Sequence, residues 1–107
     1  STYTASFGGG PRTIVLELAH RPDISKVSLC FYPKQHFTDF ALLFSQDGDV
    51  WTKFYDAQSI ARQRPIVYGN IWVLDDLDIE DMQFFKLEYR ASEGRDRMLL
   101  RGLSLLK

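Results

Sequence analysis

The sequence holds one cysteine, Cys30, and two histidines, His20 and His36. A single thiol excludes an internal disulfide and any cysteine-rich zinc site. An excess of one charge is missing too: thirteen Lys and Arg stand against fourteen Asp and Glu, for a formal net charge of −1. That balance provides no general attraction to a phosphate backbone or an anionic membrane, so nucleic acid is not expected as a partner. No apolar run approaches the roughly 18 to 20 residues a membrane span needs, and none is expected. The chain opens at Ser1 without the basic and apolar regions of a secretory leader, as a trimmed domain also would, and localisation stays unknown. There is no Gly-x-Ser-x-Gly elbow, and Gly8-Gly9-Gly10 lacks the Lys-Ser/Thr that follows in a phosphate loop.

What is present is the material of a core. The 107 residues, 45% hydrophobic and 14% aromatic, make one domain over residues 1–107. Its apolar residues recur with period two, the repeat that puts alternate side chains on opposite faces of a strand. Ile14, Leu16 and Leu18 share one face of a first such segment, and Val27, Leu29 and Phe31 one face of a second. Phe40 to Phe44 is apolar throughout, as a strand covered on both sides would be. Gln46-Asp47-Gly48-Asp49 is a hairpin signal, with Val50 to Tyr55 returning. Ile66 to Tyr68 and Ile71 to Leu74 flank Gly69-Asn70; Phe85, Leu87 and Tyr89 alternate later, and Met98 to Leu106 closes the chain. Residues 1–11 read as a flexible leader or a first edge strand. Helical patterns are confined to Asp56 to Arg64 and to one acidic turn over Asp75 to Met82. Short strands separated by turn signals predict an all-β antiparallel sandwich or barrel.

In this order of strands, Ala41-Leu42-Leu43-Phe44-Ser45-Gln46-Asp47-Gly48-Asp49-Val50-Trp51 resembles the hairpin of discoidin (coagulation-factor type C) domains, an apolar strand followed by Ser-x-Asp-Gly-x-x-Trp. Phe31-Tyr32-Pro33-Lys34 is similar to that family's strand ending in Pro-Arg, and Phe84 to Arg90 and Leu100 to Leu105 to its later strands. The resemblance spans roughly residues 12 to 106. It implies a galactose-binding-like jelly roll, shortened at its N-terminus, without the Cys pair of many members and with Lys34 where the family has Arg. It also implies a non-catalytic carbohydrate-binding module appended to a larger protein, with a glycan as partner.

The residues that bear chemistry divide accordingly. A triad drawn from His36, Asp39 and some serine rests on residue types too common to mean anything, and no enzyme is expected. The run Asp75-Asp76-Leu77-Asp78-Ile79-Glu80-Asp81 offers oxygen ligands for a hard cation, yet lacks the twelve-residue calcium loop. No cofactor is expected; calcium, at Asp75, Asp76 and Asp78, is the one candidate, with a solvated loop as the plainer reading. Trp51 and Trp72 would suit sugar stacking if exposed, but burial in the core is the expectation for both. The resemblance places ligand contacts in two loops. Lys34, Gln35, His36 and Phe37 combine donors, an acceptor and an aromatic platform, and Glu93, Arg95 and Arg97 supply acceptors and the guanidinium fork. The alternative is a protein–protein interaction or assembly domain of the same fold with no sugar site, marked by Phe37, Phe84 and Tyr68 clustered outside.

Overall fold

A computed structural model describes residues 2–6, 13–31, 39–59, 64–89 and 100–107. Among them are nine strands: β1 (Thr2–Ser6), β2 (Thr13–Glu17), β3 (Lys26–Phe31), β4 (Phe40–Ser45), β5 (Thr52–Asp56), β6 (Ile66–Tyr68), β7 (Ile71–Leu74), β8 (Phe84–Tyr89) and β9 (Leu100–Leu106). They form two antiparallel sheets, one in the order β1-β9-β3-β7-β6 and one in the order β2-β8-β4-β5. The chain crosses repeatedly between the sheets, with β4–β5 and β6–β7 the two hairpins made within one sheet, and the architecture is an antiparallel β-sandwich of jelly-roll type. Residues 2–6 are the edge strand on β9, with Thr2 opposite Leu106 and Ser6 opposite Gly102.

The period-two pattern produces the core directly. Along β3, Val27, Leu29 and Phe31 are buried while Ser28 and Cys30 are half-buried on the outer face; along β8, Phe85, Leu87 and Tyr89 are buried in the same rhythm. Trp72 of β7 bridges the sheets, its ring 5.1 Å from Phe40 and 4.9 Å from Tyr55 in edge-to-face contacts. One irregularity adds to this core. The register of β4 on β5 shifts between Leu42 and Leu43, so that Tyr55 lies opposite Leu42 and Lys53 opposite Leu43. A bulge sets two neighbouring residues against one, and here Phe54 and Tyr55 both face inward, toward Phe85 and Phe40 respectively.

Of the two helical expectations, the one over Asp75 to Met82 is corrected, and the one over Asp56 to Arg64 lies only partly within the described residues. Residues 75–83 form an irregular, non-helical connection with one bridge, Ile24 to Ile79; Leu77, Ile79 and Met82 are buried while Asp76, Asp78, Glu80 and Asp81 face solvent. The acidic run is the outer face of a period-two segment, which a helical turn would have buried in part. Over 56–64, β5 continues to Asp56 and a turn follows at 57–58; residues 60–63 lie outside the described residues. The return from the Asp47-Gly48 turn also starts later than the apolar Val50 indicates, at Thr52, because Asp47 Oδ1 holds the backbone N–H groups of Asp49 (2.8 Å) and Val50 (3.0 Å) in the turn.

Candidate functional site

Antiparallel strands gather their connections at the two ends of the sandwich, and the ends differ in kind. At the first, residues 18–25, 46–51 and 75–83 are knitted together. Leu18 N–H donates to the Gln83 carbonyl (2.7 Å), Ile24 to Ile79 (2.8 Å) and Met82 to Pro22 (2.9 Å). The Arg21 guanidinium donates to the Gln46 carbonyl (2.8 Å), and the Gln46 side chain to the Glu80 carbonyl (2.9 Å). His20, Arg21, Asp76 and Asp81 carry the positive φ that lets these loops turn sharply. The cavity here, lined by Asp23, Ile24, Leu77, Asp78, Ile79 and Lys107 among others, holds about 120 Å³. That is below the roughly 300 Å³ of a small-molecule pocket. Among the described residues no three His, Cys, Asp or Glu side chains converge as metal ligands. Asp76 and Asp78 are exposed and Asp75 is half-buried along this loop.

The second end is organised around four strand termini. Phe31 lies opposite Leu100, and Phe40 opposite Tyr89. The rings of Phe31 and Phe40 meet across the sandwich at 6.1 Å. Segment 32–38 connects Phe31's strand to Phe40's, and segment 90–99 connects Tyr89's to Leu100's, so both leave the frame at this one place. Lys34, Gln35, His36, Phe37, Glu93, Arg95 and Arg97 themselves lie outside the described residues. The frame beneath them has its own polar furniture. The Asn70 side chain donates to the Phe31 carbonyl (2.7 Å), and Phe31 N–H donates to the Asn70 carbonyl (2.9 Å). Gln58 donates to Asp39 (2.9 Å). The Tyr89 hydroxyl is buried without a hydrogen-bond partner among the described residues. Burial pushes the Tyr55 phenol above its ordinary pKa, the Trp72 side chain partly offsetting this.

The two tryptophans separate. Trp72 is 1% exposed, as expected of a core residue. Trp51 is half-buried on the outer face of the four-stranded sheet, with the Lys86 ammonium 4.0 Å from its ring centre and Phe84 at 6.2 Å. It shares strand parity with Lys53, which lies opposite the outward Leu43, so it cannot reach the core. Nor do Phe84 and Tyr68 cluster: they sit on the outer faces of different sheets, and Phe37 lies outside the described residues. What the sequence reading missed is an exposed apolar hairpin, with Ile66 58%, Val67 49%, Tyr68 83% and Ile71 40% exposed. Its signal was Pro65 ahead of a three-residue apolar run, the mark of a short edge strand.

No protein-family profile matches the sequence, and no curated protein matches it. Among solved structures, the fold is similar to that of the carbohydrate-binding module CBM32-1 from a family 31 glycoside hydrolase of Clostridium perfringens. The TM-score is 0.72 at 14% identity, over 100% of this chain and 77% of that one. The chain therefore shares the antiparallel jelly-roll sandwich fold of that module, the architecture expected from its strand order and its Ser-x-Asp-Gly-x-x-Trp hairpin. Among the described residues no helix is long and apolar enough to cross a membrane.

Proposed function

We propose that this domain is a non-catalytic carbohydrate-binding module whose glycan site is built at the Phe31–Phe40–Tyr89–Leu100 end of the sandwich. The observation that carries the reading is topological. The two segments with sugar-like chemistry, Lys34-Gln35-His36-Phe37 and Glu93 to Arg97, are anchored on four residues that pair or touch one another. The Tyr89 hydroxyl adds an unfilled hydrogen-bonding valence to the same end. The fold shared with a carbohydrate-binding module supports the assignment. A site made from loop side chains is shallow, and its affinity is on the order of 0.1 to 1 mM. Such modules act by multivalency or by raising local concentration around a partner that does the chemistry.

The test is a glycan array probed with the multivalently displayed domain, followed by titration of each hit against Lys34→Ala and His36→Ala. Binding that is lost in both variants, with thermal unfolding unchanged, is the expected result. A blank array from folded, displayed protein overturns it. The second reading, an assembly domain of the same fold, is favoured by one separate observation, the exposed apolar β6–β7 hairpin.

A further inference from the structure

From the geometry of β6 we propose that this chain self-associates into a two-fold dimer through β6, centred on Val67. The strand ends the five-stranded sheet, and among the described residues nothing pairs with its outer edge. Its hydrogen-bond parity follows from the neighbouring strands. Phe31 N–H donates to Asn70 in the β3–β7 ladder, so Asn70, Trp72 and Leu74 direct their backbone groups toward β3, and Ile71 and Val73 toward β6. Tyr68 and Ile66, opposite Ile71 and Val73, are occupied by those bonds. Val67 therefore turns its N–H and C=O away from the sheet, into the open.

An edge of this kind is satisfied by another extended strand, and the chain itself is complementary to it. With Val67 on a two-fold axis, its N–H and C=O bond reciprocally to Val67 of the partner subunit. Ile66 then faces Tyr68 of the partner subunit on the outer surface, a β-branched–aromatic pair of the sort that stabilises sheets. The same register sets Gly69 against Pro65, a pair that gains at most the one bond from Gly69 N–H to the Pro65 carbonyl, because proline has no N–H to return. It also sets Arg64 against Asn70, so no like charges meet. A formal net charge of −1 leaves little repulsion between copies. β6, Ile-Val-Tyr, carries no lysine or inward charge; its guards are its three-residue length and Pro65 ahead of it, which keep the pairing short. Pairing covers Ile66, Val67 and Tyr68 and continues the apolar strip through Ile71 and Val73 of both copies. Because the strands run antiparallel, the Phe31–Phe40 ends of the two copies point in opposite directions. Only a few backbone bonds are gained, so dissociation is on the order of 0.1 mM.

The experiment is sedimentation analysis of the whole chain from about 10 µM to about 1 mM, beside Val67→Pro and Tyr68→Lys. Val67→Pro deletes an N–H that the fold itself does not use, at an edge position where proline is tolerated. The expected result is a mass rising from 12.4 kDa toward twice that value in the parent chain. Dimerisation weakens at least tenfold in both variants, with the thermal transition of Val67→Pro retained. A parent chain that stays monomeric at the highest concentration overturns the proposal and leaves the edge to a different partner. Dimerisation undiminished in a folded Val67→Pro also overturns it, by placing the contact elsewhere. Neither result depends on sugar, so this test and the glycan array fail separately.

Discussion

Gly48 lies against the ring of Phe84 so closely that a Cβ at that position would stand 2.9 Å from Cε2. Its φ of +85° is also one that L-residues rarely adopt. Gly48→Ala therefore meets two penalties together, and about 1 to 3 kcal/mol of stability should be lost in urea unfolding. Gly69 provides the internal control. It has φ +61°, the first position of a two-residue hairpin turn, but nothing within 4 Å of a Cβ. Gly69→Ala should cost only the conformational part, about 1 kcal/mol. Equal losses in the two variants would mean that Phe84 simply moves aside.

The same turn carries a pH dependence. Asp47 Oδ1 accepts from the N–H of Val50, the N–H of Asp49 and the Ser45 hydroxyl, and these bonds hold its carboxyl below the ordinary carboxylate range. With the folded pKa below the unfolded one, the stabilisation is complete above about pH 4 and is lost as pH falls through the folded value. Between pH 5 and pH 2 the melting temperature of the parent chain should fall more than that of Asp47→Asn. Parallel curves would show that the carboxylate contributes nothing beyond what an amide can. Ser45, 1% exposed, accepts from Gly48 N–H at 2.8 Å, and Ser45→Ala should destabilise by about 1 to 3 kcal/mol at neutral pH. Part of that loss should fade as Asp47 is protonated, since the hydroxyl also donates to its carboxylate.

Trp51 and Trp72 report on different places and should be separable by fluorescence. Trp72 is sealed between Phe40 and Tyr55, so Trp51→Phe should leave a blue-shifted emission that iodide barely quenches. Trp72→Phe should leave the half-exposed Trp51, red-shifted and quenchable, and should destabilise the fold while Trp51→Phe hardly does. Lys86→Gln removes the cation above Trp51, an interaction of about 0.5 to 1 kcal/mol at an exposed site. Quenching of equal strength in the two single-tryptophan variants would contradict the burial of Trp72.

How much of this was readable in advance depends on the range of each interaction. The strands were, because a buried face repeats every second residue over stretches such as Val27 to Phe31, and the period is a local property. The hairpin at Asp47-Gly48 was too, since its turn chemistry lies within six residues. The bulge was not: Phe54 and Tyr55 are adjacent, and nothing local says that both face inward until β4 is set beside β5. The parity of Trp51 needed the true length of the turn, which the bonds to Asp47 determine. For the acidic run the pattern was visible in Leu77 and Ile79 alternating with Asp76, Asp78 and Glu80, but its charge density drew the reading toward a turn or a cation. The two loops around Lys34 and Arg95 were chosen by resemblance and chemistry, and their common anchorage emerges only from strand pairings some 50 to 70 residues apart in the chain. Asn70 escaped altogether, because its partner Phe31 is 39 residues away.

Asn70 also offers a way to disturb the proposed sugar end without touching a ligand. Its amide holds the Phe31 carbonyl at 2.7 Å and its own carbonyl receives the Phe31 N–H at 2.9 Å, clamping the β6–β7 turn onto the last residue before segment 32–38. Asn70→Ala removes the side-chain bond and keeps the backbone one, for a loss of about 0.5 to 1.5 kcal/mol. Asn70→Asp is the harsher change, since it sets a carboxylate, which has no proton to give near neutral pH, against a carbonyl oxygen. If the stretch beginning after Phe31 contacts glycan, both variants should weaken binding several-fold while they remain folded at the assay temperature. The aspartate variant should partly recover as pH is lowered toward 4 and its carboxyl regains a donor. Titrating a glycan-array hit against both variants at two pH values, with circular dichroism at each point, checks this. Unchanged affinity in a measurably destabilised Asn70→Asp would mean that the end of β3 does not position the binding residues, and the site would then have to be sought on the 90–99 side of the same end.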